Sequence, residues 1–146
     1  RRSEGDPMHA SRLIMYHKQS TSARTRFLKL AYGGVCGFSA LPALAKIEEK
    51  PSEAPRVVSH PASVIREAEI QLGLPSGSLE MEPGFRCEVA AGDERTEVFL
   101  ARFTSIDPPF ETAQAHGSTF IDLTQARGLP PVELDLLRRS YERILG

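Results

Sequence analysis

Apolar positions fall into two stretches built differently. From Leu30 to Leu41 the chain is weakly apolar without a period, softened by Gly33, Gly34, Gly37 and Ser39. From His60 onward, apolar residues recur at helical or strand spacing. Val64, Ile65, Ala68 and Leu72 share one helical face while Arg66, Glu67, Glu69 and Gln71 turn away, which predicts a helix over Pro61–Leu72. Pro61 suits a first helical position, and Gly73 with Pro75 ends the helix. Pro75-Ser76-Gly77-Ser78 then reads as a turn.

A hairpin follows. Phe85, Cys87, Val89 and Ala91 alternate with Arg86, Glu88 and Ala90, the period of a half-buried strand. Ala91-Gly92-Asp93-Glu94 turns the chain. Glu97–Thr104 is apolar on both faces, Phe99, Ala101 and Phe103 on one and Val98 and Leu100 on the other, which predicts a central strand covered on both sides. Phe85 is expected to meet Phe99 or Phe103 across the pair.

Asp107-Pro108-Pro109-Phe110-Glu111 has helix-start chemistry, with Asp107 as the cap, and the short helix should end at His116-Gly117. Thr119–Thr124 reads as a third strand and Gln125–Leu129 as a loop. The last helix, Pro130–Leu145, carries the stripe Leu134, Leu137, Tyr141 and Ile144, with acids near its start and Arg138, Arg139 and Arg143 near its end. The expected fold is a small α+β domain in the order helix-strand-strand-helix-strand-helix. Its sheet has three mainly antiparallel strands with helices packed on it, and a disordered or signal-like leader precedes it. Pro-Pro-apolar-Glu opens both later helices, which common helix-start chemistry explains.

Charge divides the chain the same way. Met8–Ala45 holds five basic residues (Arg12, Lys18, Arg24, Arg26, Lys29) and no acid. From His60 to the end, eight Arg face fourteen acids without a Lys, a formal charge of −6 hidden inside the overall −1. An acidic domain repels phosphate backbones, which excludes nucleic acid as its expected partner. In the basic part, Lys18, Arg24, Arg26 and Lys29 precede the apolar run Leu30–Leu41. Pro42 breaks it, and Ala43-Leu44-Ala45 supplies small residues where a signal peptidase cuts. Arg24-Thr25-Arg26-Phe27-Leu28-Lys29 resembles a twin-arginine export signal, with Phe-Leu-Lys in place and Thr25 where the second arginine of the pair stands. The resemblance implies export, hence a periplasmic or secreted bacterial protein cut before Lys46. An organelle transit peptide, or a cytoplasmic protein starting further along (Met8 and Met15 are earlier starts), is the alternative. The apolar run is too short and glycine-rich to span a membrane.

The expected organisation is therefore a leader over 1–45, a Pro/Glu-rich tether over Lys46–Ser59 and an acidic domain over His60–Gly146.

Candidate chemistry is sparse. Cys87 lies on the apolar face of a strand, where a free thiol is ordinarily structural. A bridge to Cys36 requires the leader to be retained. His116 closes a short helix, where the dipole favours an imidazolium. Asp122 and Arg102 are charges inside otherwise apolar strands and read as rim charges. On one shared face they could hold a small polar ligand. Arg127, in the loop before the last helix, could meet an anion there. A metal set of Asp107, His116 and Asp122, or a nucleophilic set of Cys87, His116 and Asp122, is conceivable but no spacing demands either. No phosphate-binding glycine loop, dinucleotide fingerprint, paired-Cys motif or hydrolase elbow is present. The expectation is a non-enzymatic binding module for a protein or a small polar ligand, without cofactor or metal. Its alternative is a small accessory enzyme, or a redox- or metal-handling factor, built on Cys87, His116 and Asp122.

Overall fold

The computed structural model of the chain describes residues 9–42, 44–48, 61–92 and 94–145. Its elements run β1 (His9–Lys18), β2 (Thr25–Lys29), β3 (Lys46–Ile47), α1 (Pro61–Leu72), β4 (Leu79–Met81), β5 (Cys87–Ala91), β6 (Glu94–Phe103), α2 (Phe110–Ala115), β7 (Thr119–Ile121) and α3 (Pro131–Leu145). A short 3-10 turn, Leu123–Gln125, lies between β7 and α3.

All seven strands join one mixed sheet in the order β3-β5-β6-β1-β2-β7, and β4 pairs with the far end of β6. This replaces the expected three-stranded antiparallel sheet. The largest departure concerns the stretch read as a leader. Within it, β1 lies beside β6 in parallel, from His9 opposite Arg95 to Tyr16 opposite Arg102. β2 then returns antiparallel to β1, Tyr16 opposite Phe27, and carries β7 on its other edge. The apolar run Leu13–Tyr16 lies in a strand covered on both faces. β3 takes the first two residues of the stretch read as a tether and pairs with β5, Lys46 opposite Ala90. Residues 49–59 of that tether lie outside the described residues.

Strand alternation sorts the core into two layers. Leu13, Met15, Leu28, Phe99, Ala101 and Phe103 point to one face and meet Ala68 and Leu72 of α1 and Ala113 of α2. Ile14, Tyr16, Phe27, Val98 and Leu100 point to the other and meet Leu136 and Leu137 of α3. The two-faced apolar pattern of β6 thus has the meaning its sequence implies. Phe85 packs in the α3 layer whereas Phe99 and Phe103 lie in the α1 layer, so the aromatic contact expected between them does not form. The aromatic cluster that does form is Phe103 and Phe110 edge-on to Phe120, at centroid distances of 5.6 Å.

Helix α1 has the expected bounds, and α3 starts one residue later than expected. α2 is shorter: Pro109, not Asp107, stands at its start, with no side-chain cap. The Asp107 carboxylate instead accepts from Gln19 Nε2 at 3.2 Å. Glu69 also departs from expectation. Read as a solvent-facing position, it is buried at 1% exposure. Its carboxylate accepts from the N–H groups of Gly77 and Leu79 at 3.0 Å and from Arg66 at 2.9 Å. Burial alone would raise its pKa, but the donors from Leu79, Arg66 and Gly77 outweigh it and hold the carboxyl below the ordinary range. The turn after α1 is therefore tied back to the helix by a buried anion. Among the described residues no helix is long and apolar enough to cross a membrane.

Candidate functional site

An open cleft of about 400 Å³ lies between α1, the start of β1 and the loop after β2. That volume is in the range of small-molecule sites. From α1 come Ser63, Glu67 and Gln71, spaced by four so that they form one polar stripe, with Val64 and Ala68 beside them as an apolar floor. Ser11, Arg12 and Leu13 enter from β1, and Gly37, Phe38 and Ser39 from the loop.

Local physics explains how the loop comes to be a wall. Gly37 has φ +81°, a left-handed conformation that suits glycine, and its N–H reaches the Leu13 carbonyl at 3.1 Å. Arg12 lies against the loop, donating to the carbonyls of Cys36 at 3.1 Å, Ser39 and Ala40. These contacts are made by its two terminal nitrogens. A guanidinium carries five N–H donors, so donor capacity is left over. Arg12 is the one cation among the described lining residues and Glu67 the one carboxylate. Both Glu67 and Gln71 are exposed.

On the opposite side the same loop is tied to α3. Glu133, 1% exposed, accepts from the Val35 N–H at 2.8 Å and the Tyr32 hydroxyl at 3.0 Å. Burial and the neighbouring Glu133 carboxylate push the Tyr32 hydroxyl's pKa up. Burial pushes the Cys36 thiol, in the same loop, up to about 12.

The residues singled out from sequence do not converge on this cleft. Cys87 is half-buried on β5, packed toward the α3 layer. Arg102 forms an ion pair with Glu80, its register partner on β4, at the sheet rim. His116 is exposed at the end of α2, its Nδ1 3.0 Å from the Thr112 carbonyl. Asp122 follows β7. It accepts from the Thr124 hydroxyl at 2.6 Å and pairs with Arg24 at 3.6 Å; the Thr124 bond chiefly lowers its carboxyl. Arg127 is exposed on the loop before α3 and lies outside the cleft. The proposed sets of Cys87, His116 and Asp122, or of Asp107, His116 and Asp122, are thus spread over separate elements. No group of three His, Cys, Asp or Glu able to hold a metal lies together among the described residues.

What sequence reading missed is that the stripe Ser63-Glu67-Gln71 and Arg12 line one cleft. The four-residue spacing was visible but was read as an ordinary solvent face. Arg12 was counted only as leader charge.

No protein-family model matches the sequence, and no curated protein matches it. A solved structure does share the fold: the crystal structure of the Ap4A hydrolase of C. elegans, with a TM-score of 0.56 at 15% identity, over 95% of this chain and 98% of that one. The expected small antiparallel sheet is corrected by this likeness, and the expectation of a non-enzymatic module is set against a fold shared with a solved enzyme.

Proposed function

We propose that the chain is a hydrolase of nucleotide phosphoanhydrides, with a Nudix-like fold and Ap4A as the first substrate to test. The observation that carries this reading is that Arg12 and Glu67 line one cleft, in a fold shared over nearly its full length with an Ap4A hydrolase. Arg12 supplies the positive charge that a polyphosphate needs, with its plane set by the loop carbonyls. The Ser11, Ser39 and Ser63 hydroxyls offer further donors to phosphate oxygens, and Phe38 an apolar aromatic surface for a base. Glu67 orients the attacking water and takes its proton as the water oxygen bonds to phosphorus. The P–O bond of the anhydride breaks, and the bridging oxygen leaves on the departing phosphate.

A divalent cation fits this cleft as a companion of the substrate. One carboxylate, one carboxamide and three hydroxyls are hard oxygen donors, and Mg²⁺ is commonly held by one or two carboxylates with phosphate oxygens and water completing its shell. When bound it neutralises phosphate charge. Glu67 is the protein group placed to hold it, with the Gln71 carboxamide oxygen four residues along.

The test is turnover of Ap4A by the purified full chain with Mg²⁺, followed by separation of nucleotide products. Glu67→Gln should lower kcat by about 10²–10⁴-fold. Turnover by Glu67→Gln at the parent rate, or none by the parent chain, sinks the reading.

A further inference from the structure

The Gly33–Ala40 loop is held by opposite charges from its two sides. From β1 the Arg12 cation collects carbonyl oxygens of Cys36, Ser39 and Ala40. From α3 the Glu133 anion collects the Val35 N–H and the Tyr32 O–H. The Tyr32 oxygen in turn accepts from the Cys36 N–H at 3.1 Å and lies 3.1 Å from the Cys36 carbonyl. A phenol has one proton, and a carboxylate is the stronger acceptor, so the proton belongs to Glu133. Gly34 lets the anion in: a Cβ there would collide with both the Glu133 carboxylate and the Tyr32 ring. Glu133 itself is not part of the cleft lining.

We infer that Glu133 is a positioning residue, which through Val35 and Tyr32 fixes the cleft wall Gly37–Ser39 and thereby the Arg12 guanidinium that receives the substrate's phosphates. The inference rests on the proposed use of the cleft for its second half, and its first half is measurable without any substrate. With the clamp made, three loop carbonyls stand in register for Arg12. With it broken, the loop's N–H groups lose their acceptors and the wall opens locally.

Cys36 reports the wall directly. It is fully buried in the loop, while half-buried Cys87 on β5 provides the internal reference. The experiment measures alkylation of both thiols near neutral pH, together with thermal unfolding and Ap4A kinetics, for the full chain and three variants. Tyr32→Phe and Glu133→Ala should label Cys36 about tenfold faster relative to Cys87, well below the unfolding transition. Glu133→Gln should restore most of the protection. Its Oε1 keeps the Val35 N–H, and its Nε2 donates to the Tyr32 oxygen while the phenol turns its proton to the Cys36 carbonyl. In turnover, the two disrupting variants should raise KM about tenfold with kcat within about twofold, because what they disturb is binding by Arg12. A merely structural role would instead lower the active fraction, and so kcat, at unchanged KM. Unchanged Cys36 labelling in Tyr32→Phe overturns the clamp, and Tyr32→Phe decides the matter if Glu133→Ala does not fold. Faster labelling with unchanged KM overturns the link to Arg12. A parent chain that binds and cleaves no Ap4A removes the proposed function, and with it the link to substrate, while the clamp still stands or falls on labelling.

Discussion

Removing residues 1–45 should abolish folding of the rest. The cut takes away β1 and β2, hence the neighbour of β6 on one edge and, among the described residues, the one strand paired with β7. Leu13, Ile14, Met15, Tyr16, Phe27, Leu28, Leu30 and Val35 leave with them, each 5% exposed or less. At about 1.5–3 kcal/mol per fully buried side chain, these eight alone contribute upwards of about 12 kcal/mol. A whole domain is ordinarily stable by about 5–15 kcal/mol. The loss is also two-sided, because Phe99 and Ala101 on one face and Val98 and Leu100 on the other become solvated along β6. The assay compares full chain and 46–146 fragment by far-UV circular dichroism, amide NMR dispersion and urea unfolding. A disordered or aggregating fragment is expected. A fragment with dispersed amides and a cooperative transition close to that of the full chain would refute the placement of β1 at the centre of the sheet.

Three smaller perturbations probe other parts of the argument. Glu69→Gln should destabilise by about 1–3 kcal/mol at neutral pH, since three donors lose a charged acceptor. The Glu69 carboxyl is lowered in the folded chain, so its contribution is present above the ordinary carboxylate range and lost as pH falls through it. The gap between parent and variant in urea midpoint should therefore narrow toward about pH 3; a constant gap contradicts the buried-anion account. Leu137→Ala should cost about 2–5 kcal/mol because the side chain is fully buried beneath α3, and half-buried Leu134→Ala should cost less. The reverse order in chemical denaturation would displace α3 from the sheet. Arg102→Ala should change stability by no more than about 1 kcal/mol, since its ion pair with Glu80 is solvated. A larger loss would point to packing by the Arg102 stem.

Much of the second half was legible. The apolar stripe of α1, the two apolar faces of β6 and the stripe of α3 are local periodicities, and each survives in the structure because burial acts on the same residues that carry the pattern. Asp107 illustrates the limit of local signals. Its helix-start sequence was clear, yet a cap requires the side chain to turn inward, and Gln19 on the β1–β2 turn takes it instead. Glu69 shows the same limit from the other side, since a glutamate on an apolar face is legible only once the turn it caps is in place.

By itself the sequence determined where two of the three helices lie and which strand is covered on both faces. Only the tertiary structure placed residues 9–18 and 25–29 inside the sheet. A short continuous apolar run such as Leu13–Tyr16 carries no period that marks a doubly covered strand. Parallel pairing with β6, about 85 residues away, supplies its place in the sheet. The cleft has the same origin: Arg12, Phe38 and Glu67 are far apart along the chain and line one cavity because the sheet places β1 beneath α1. Spacing within one segment can announce an element, but a site made of three segments exists only after their long-range contacts have formed.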